Sequence, residues 1–137
     1  MDYLWEGIKQ AVVLLFPPSP EILGIVGLSL VVSASATLLA GIFAIPTGVF
    51  LAVVDFKLKR ILIALLNTAL AIPAVLIGLF VYILINRRGI LGFLALLFTP
   101  WAMILAQALL ALPIITALSL AALKSVAKDT KDLTYSL

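Results

Sequence analysis

Three stretches of this chain carry no charged residue: 22–54, 61–86 and 89–123, runs of 33, 26 and 35 positions. A helix needs about 20 apolar residues to cross the hydrocarbon core of a bilayer, so each run predicts one span. None is clean enough to divide into two. Composition agrees: 65% of the 137 residues are hydrophobic and 11% charged, against roughly 45–50% and about 25% in soluble domains. A water-soluble enzyme is excluded. The expected fold is an all-α membrane protein, embedded in the lipid bilayer with three transmembrane helices.

Nine Lys and Arg oppose six Asp and Glu, in short clusters that punctuate the apolar runs. They form no broad basic face, so no nucleic-acid partner is expected. Cys and His are both absent. That removes disulfides, thiol metal sites and the commonest catalytic base. No catalytic residue, metal site or cofactor is assigned. Transport, anchoring or membrane structure remain.

Residues 2–16 read as an amphipathic helix, with Leu4, Ile8, Val12 and Leu15 on one face beside Trp5, and Asp2, Glu6, Lys9 and Gln10 on another. Such a helix lies in a membrane interface with its Trp at headgroup level. Residues 1–19 are thus an interfacial helix and linker, broken by Pro17, Pro18 and Pro20. Ser19-Pro20-Glu21 is a strong helix start: a capping hydroxyl, a proline preset for the first turn, and an acid at the positive end. The first span covers about 20–54, kinked by Pro46. The second covers about 61–86, with Pro73 in its middle. Thr99-Pro100 repeats the cap-then-proline start, so the third covers about 100–123, bent at Pro113 and preceded by a short helix or re-entrant piece over 90–98.

Three spans put the two ends on opposite sides. Lys57, Lys59, Arg60, Lys124, Lys128 and Lys131 fall on one side; Lys9, Arg87 and Arg88 on the other. The six-to-three bias places the 55–60 loop and the C-terminus in the cytoplasm and the N-terminus outside.

Within the spans there is no ionisable group of the kind that coupled carriers use to move charge, nor a GxxxxGK[ST] nucleotide loop. Uphill movement of a solute would need a separate energy source. The polar residues that remain are candidates for lining a pathway. Ser29, Ser33, Thr37 and Gly41 recur every four residues on the first span, beside Ala36, Ala40, Ala44 and Gly48. This stripe reads as close helix packing or as pore-lining hydroxyls. Asn67 and Thr68 lie inside the second span, with Asn67 on the face of Ala71, Ala74 and Gly78 near Pro73; Gln107 lies inside the third. An amide facing hydrocarbon is costly, so Asn67 and Gln107 should meet protein or water.

The stretch NTALAIPAVLIGLFVYILINRRGILG, Asn67 to Gly92, resembles the signature of oxyanion ABC-transporter permeases: a Pro-containing turn, valines and Gly-Leu, then a basic-Gly-x-x-Gly loop. TPWAMILAQALLALPIITALSLAALKSV, Thr99 to Val126, looks like the following helix of that family. The resemblance is strongest to tungstate-type permeases, related to the molybdate type, whose early WEG is matched by Trp5, Glu6 and Gly7. Where the family usually has Pro-Pro, this chain has Pro73-Ala74.

The resemblance implies a permease subunit of an ATP-driven importer for tungstate or a similar oxyanion, in a prokaryotic cell membrane. It implies a homodimer, a cytoplasmic ATP-binding subunit and an extracytoplasmic substrate-binding protein. Asp132, Leu133 and Thr134 stand where the family's ATPase-coupling loop begins, making residues 124–137 the start of a coupling segment. On this reading the chain is an N-terminal fragment of a five-span type I importer permease. Ser33, Thr37, Asn67, Thr68, Pro73 and Gln107 become pathway candidates, and Arg87 and Arg88 a basic outer loop. The alternative is a small structural or channel-forming membrane protein complete at three spans.

Overall fold

A computed structural model describes the backbone of residues 2–15 and 19–135, and the side chains of 3–13 and 19–126. Pro17 and Pro18 lie outside the described residues, as do the side chains of Leu15, Lys128, Lys131, Asp132, Leu133 and Thr134. Among the described residues, five α-helices occur in the order α1 (Asp2–Leu15), α2 (Pro20–Val53), α3 (Lys59–Leu70), α4 (Ala74–Ile85) and α5 (Pro100–Tyr135), with one 3-10 turn at Gly92–Leu94. Helix α1 shows its apolar side chains to the outside, Tyr3, Leu4, Trp5 and Ile8 among them. Its Trp5 ring lies 5.7 Å from the Lys9 ammonium.

Helices α2 and α5 form the body of the molecule. Ser19 opens α2, its hydroxyl accepting the Ile22 amide at 3.4 Å. Along one stripe Val32, Ala36, Ala40, Ala44, Gly48 and Leu51 are buried, the first three clustered with Ile104 and Ala108 of α5 and with partly buried Ala111, Leu112 and Ile115. Hydrophobic burial gives little drive between helices in lipid, so close packing of small residues must substitute for it. Gly48 marks a close approach of α2 to α5: a Cβ there would stand 2.6 Å from Ser119 Cβ and 2.8 Å from the Thr116 carbonyl oxygen. Pro46 and Pro113 both lie inside continuous helices.

The second apolar run departs from the single span expected over 61–86. It forms two helices, α3 and α4, bent by 98° at the break between them. Pro73 cannot donate an amide and disfavours helical geometry at Ile72 before it. The amides of Ala71 and Ile72 close the last turn of α3 on the Thr68 and Ala69 carbonyls. Two helices, α2 and Pro100–Val126 of α5, are long and apolar enough to cross a membrane, and the bent pair supplies a third span if taken as one.

A second difference lies at the end of the chain. The third span was read to stop at Leu123, yet α5 continues as helix to Tyr135. No Gly or Pro follows Pro113, so the backbone meets no breaker where hydrophobicity ends. At the head of α5, Pro100 follows Thr99 as the first helical residue, and the Thr99 hydroxyl donates to Leu96 O at 2.6 Å.

Candidate translocation surface

Most hydroxyls along the helices are already committed. Ser29 donates to Ile25 O at 2.8 Å, Thr37 to Ser33 O at 2.8 Å, Thr47 to Phe43 O at 2.7 Å and Thr68 to Ala64 O at 2.9 Å. Buried Thr116 does the same to Leu112 O at 2.8 Å. A hydroxyl has one proton to give. Spent on the helix backbone, it leaves lone pairs facing outward, the wrong polarity for an oxyanion. The amide groups of Asn67 and Gln107 carry two donors each, so they are the better anion contacts of the set.

The structure places Asn67 and Thr68 on the last turn of α3 and Pro73 at the head of α4, all exposed. Gln107 shares an exposed face of α5 with Met103, Ile114 and Leu118. Ser33 and Thr37 are exposed beside the buried alanine stripe of α2. Thr37 opens on a cleft of about 660 Å³ lined by Leu38, Gly41, Ile42, Ile45, Pro46 and Ile115. The other candidates line none of the five clefts described. One copy of the chain therefore presents these side chains on open faces and does not gather them into a pocket. Left against hydrocarbon, the amides would be expensive. Such faces call for water or a neighbouring helix.

The loop after α4 has a firmer construction. Asn86 donates its amide to Tyr82 O at 2.9 Å, Gly89 to Asn86 O at 2.6 Å, and Leu91 to Leu84 O at 2.9 Å, so the chain folds back over the last turn of α4. A Cβ at Gly89 would collide with the Ile83 and Leu84 carbonyl oxygens, and one at Gly92 would lie 2.5 Å from Asn86 O. The Gly-x-x-Gly spacing is thus a demand for close backbone approach. Arg87 and Arg88 are exposed at this bend. Further on, Ala95 (φ 49°) and Phe98 (φ 63°) adopt left-handed backbone, and Phe98 is 96% exposed.

At the opposite end of the helices, Lys59 Nζ lies 2.7 Å from Asp55 Oδ1 across the turn between α2 and α3. The hydrogen bond from Lys59, and then its charge, hold the Asp55 carboxyl below its ordinary value. Among the described residues no three His, Cys, Asp or Glu side chains come together as a metal site would require.

Two long apolar helices and a broken third define a multi-pass membrane protein. No protein-family model matches the sequence, and no solved structure matches it. Among characterised proteins it is 44% identical over 114 residues to the tungstate uptake system permease protein TupB of Peptoclostridium acidaminophilum, covering 83% of this chain and 50% of that protein. It is 39% identical over 118 residues to TupB of Campylobacter jejuni, covering 86% and 49%. A probable anion ABC transporter permease protein of Haloferax volcanii is 36% identical over 115 residues, covering 84% and 50%. The chain spans about half the length of these curated relatives. It belongs to the oxyanion ABC-transporter permease family.

Proposed function

We propose that this chain contributes the membrane-embedded pathway of an ATP-driven importer for tungstate or a closely similar oxyanion such as molybdate. The observation that carries this reading is the 44% identity to the Peptoclostridium permease across 83% of the chain. A self-contained structural or channel-forming protein is not favoured, because it gives no reason for that shared sequence.

In the proposed assembly the helices form part of a five-span type I permease that pairs as a homodimer. A cytoplasmic ATP-binding subunit drives it and an extracytoplasmic binding protein delivers the anion. The need of Asn67 and Gln107 for a polar neighbour supports a pathway along the faces that carry Ser33, Thr37, Asn67, Thr68, Pro73 and Gln107. The two amides donate to the passing dianion, and the absence of a fixed charge within the spans lets it leave. Arg87 and Arg88 raise the local anion concentration at the outer mouth. Asp132, Leu133 and Thr134, at the far end of α5, meet the ATPase. Helix α1 rests in the outer interface of the prokaryotic cell membrane, the N-terminus is outside and the C-terminus cytoplasmic.

The test is tungsten accumulation by the host organism, measured by elemental mass spectrometry before and after deletion of the coding region. A severalfold fall at limiting tungstate is expected; unchanged accumulation would overturn the proposal. A Cys introduced at Lys57 should react with an impermeant thiol reagent only after the cells are opened. Labelling of intact cells would reverse the orientation.

A further inference from the structure

We propose that the turn joining α2 to α3 binds the phosphodiester headgroup of an anionic phospholipid. A cleft of about 350 Å³ opens there, lined by Phe56, Lys57, Lys59, Arg60 and Ile63. Lys59 is held by Asp55 at 2.7 Å. Lys57 and Arg60 form no salt bridge among the described residues, so two cations at the cleft remain uncompensated. One wall is apolar and fixed. The Phe56 ring lies 5.6 Å from that of Phe50, and the Lys59 amide closes the turn onto Phe56 O at 3.1 Å.

The surroundings select the kind of anion. Val53, Leu58 and Ile61 flank the cations, at 71%, 60% and 56% exposed. The turn itself stands at the end of a helix long enough to span a bilayer, where glycerol backbones meet water. A lipid satisfies both halves of this surface: its phosphodiester meets Lys57 and Arg60, and its glycerol and upper acyl carbons cover Phe56, Ile63 and the exposed aliphatics. A free anion would pair the charges and leave the apolar surface bare.

The experiment is native mass spectrometry of the 137-residue chain, extracted in mild detergent and supplied with phosphatidylglycerol or phosphatidylcholine. Wild type should retain phosphatidylglycerol in preference. Each basic group near an anionic lipid surface is worth about fivefold, so K57Q/R60Q should lose roughly 25-fold of that retention. F56A should weaken it while leaving the charges in place. The control K124Q, at the other basic cluster, should retain lipid as wild type does, and circular dichroism must show equal helicity in all variants. Equal retention by K57Q/R60Q and wild type overturns the proposal, as does an equal loss in K124Q. Inorganic phosphate that displaces the lipid at comparable concentration overturns it too, by making the site one for a free oxyanion.

Discussion

The tripeptide Ala-Ile-Pro occurs twice, at residues 44–46 and 71–73, with opposite outcomes. At the first, α2 continues for another seven residues to Val53; at the second, α3 has ended and α4 starts off at 98°. Proline in a helix interior costs about 3 kcal/mol wherever it stands, so local chemistry does not separate the two. Neighbours do. Ala44 is fully buried, and one turn on Gly48 lies against Ser119 and Thr116 of α5. Ala71, Ile72 and Pro73 are all exposed, and α3 buries no residue. Packing along the α2–α5 seam offsets the cost of Pro46, whereas little surrounds Pro73. Helix continuity in this chain is decided by the partner helix. Asn67 and Thr68 stand near this proline on the exposed side of α3.

The largest effect should come from filling the seam. Leucine at Gly48 would drive its Cβ into the Thr116 carbonyl and Ser119, atoms on or next to the α5 backbone. Overpacking of this kind costs about 1–3 kcal/mol. With α5 pushed away, Pro46 should behave as Pro73 does. Spin labels on α2 either side of Pro46 should report a new bend, and the unfolding midpoint in denaturing detergent should fall. Alanine at Gly78, where a Cβ meets nothing within 4 Å, should instead stabilise by up to about 1 kcal/mol through helix propensity. An unbent α2 in the Gly48→Leu protein would remove the seam as the explanation.

Next in size is Gly89→Ala. The new methyl collides with the Ile83 and Leu84 carbonyls, so the loop must lift from α4 and the Leu91 amide must release Leu84 O. Losing that bond costs about 1 kcal/mol. Hydrogen exchange at Leu91 should accelerate while the α2–α5 seam keeps its protection. If Leu91 exchanged at the wild-type rate, the loop would not need the close approach.

Pro73→Ala should alter shape more than stability. It restores an amide that can donate to Ala69 O and relieves Ile72, so α3 and α4 gain the option of one helix. Labels at exposed Leu65 and Ile83 would then move toward the roughly 27 Å that 18 helical residues span. An unchanged distance would mean that the packing of α3 and α4 on α5 sets the elbow.

These cases show what local sequence could and could not carry. The Ser19 start and the long apolar runs are properties of a few adjacent residues or of summed hydrophobicity, and the structure realises them as capped α2 and as two spanning helices. The break at Pro73 is not legible in the sequence, because 61–86 is as apolar as its neighbours and burial against α5 is not written in one segment. The helix past Leu123 was missed for the converse reason: loss of hydrophobicity marks a membrane boundary, while only Gly, Pro or a cap marks a helix end. Polarity alone flagged Thr37 and Thr68 alongside Asn67 and Gln107. That both hydroxyls spend their protons on backbone carbonyls follows from their i−4 geometry, and it leaves the amides as the donors.

The smallest effect expected is at the start of α3, where the first turn carries Lys59 and Arg60 without a side-chain cap. Cations there oppose the helix dipole, and Asp55 answers one of them. Because Lys59 depresses its pKa in the folded chain, Asp55 contributes stability at pH above the ordinary carboxylate range. That contribution is lost as pH falls through the lowered folded value. Asp55 is solvent-exposed, so the consequence is confined to fraying of one turn and leaves the α2–α5 seam untouched. A carboxyl-carbon NMR titration should place the Asp55 midpoint below the ordinary carboxylate value, and K59Q should return it there. Amide exchange over residues 59–62 should quicken below that midpoint and, in D55N, at every pH. An Asp55 that titrates normally in the wild-type chain would mean the ion pair does not form in the membrane, leaving α3 without even this support at its first turn.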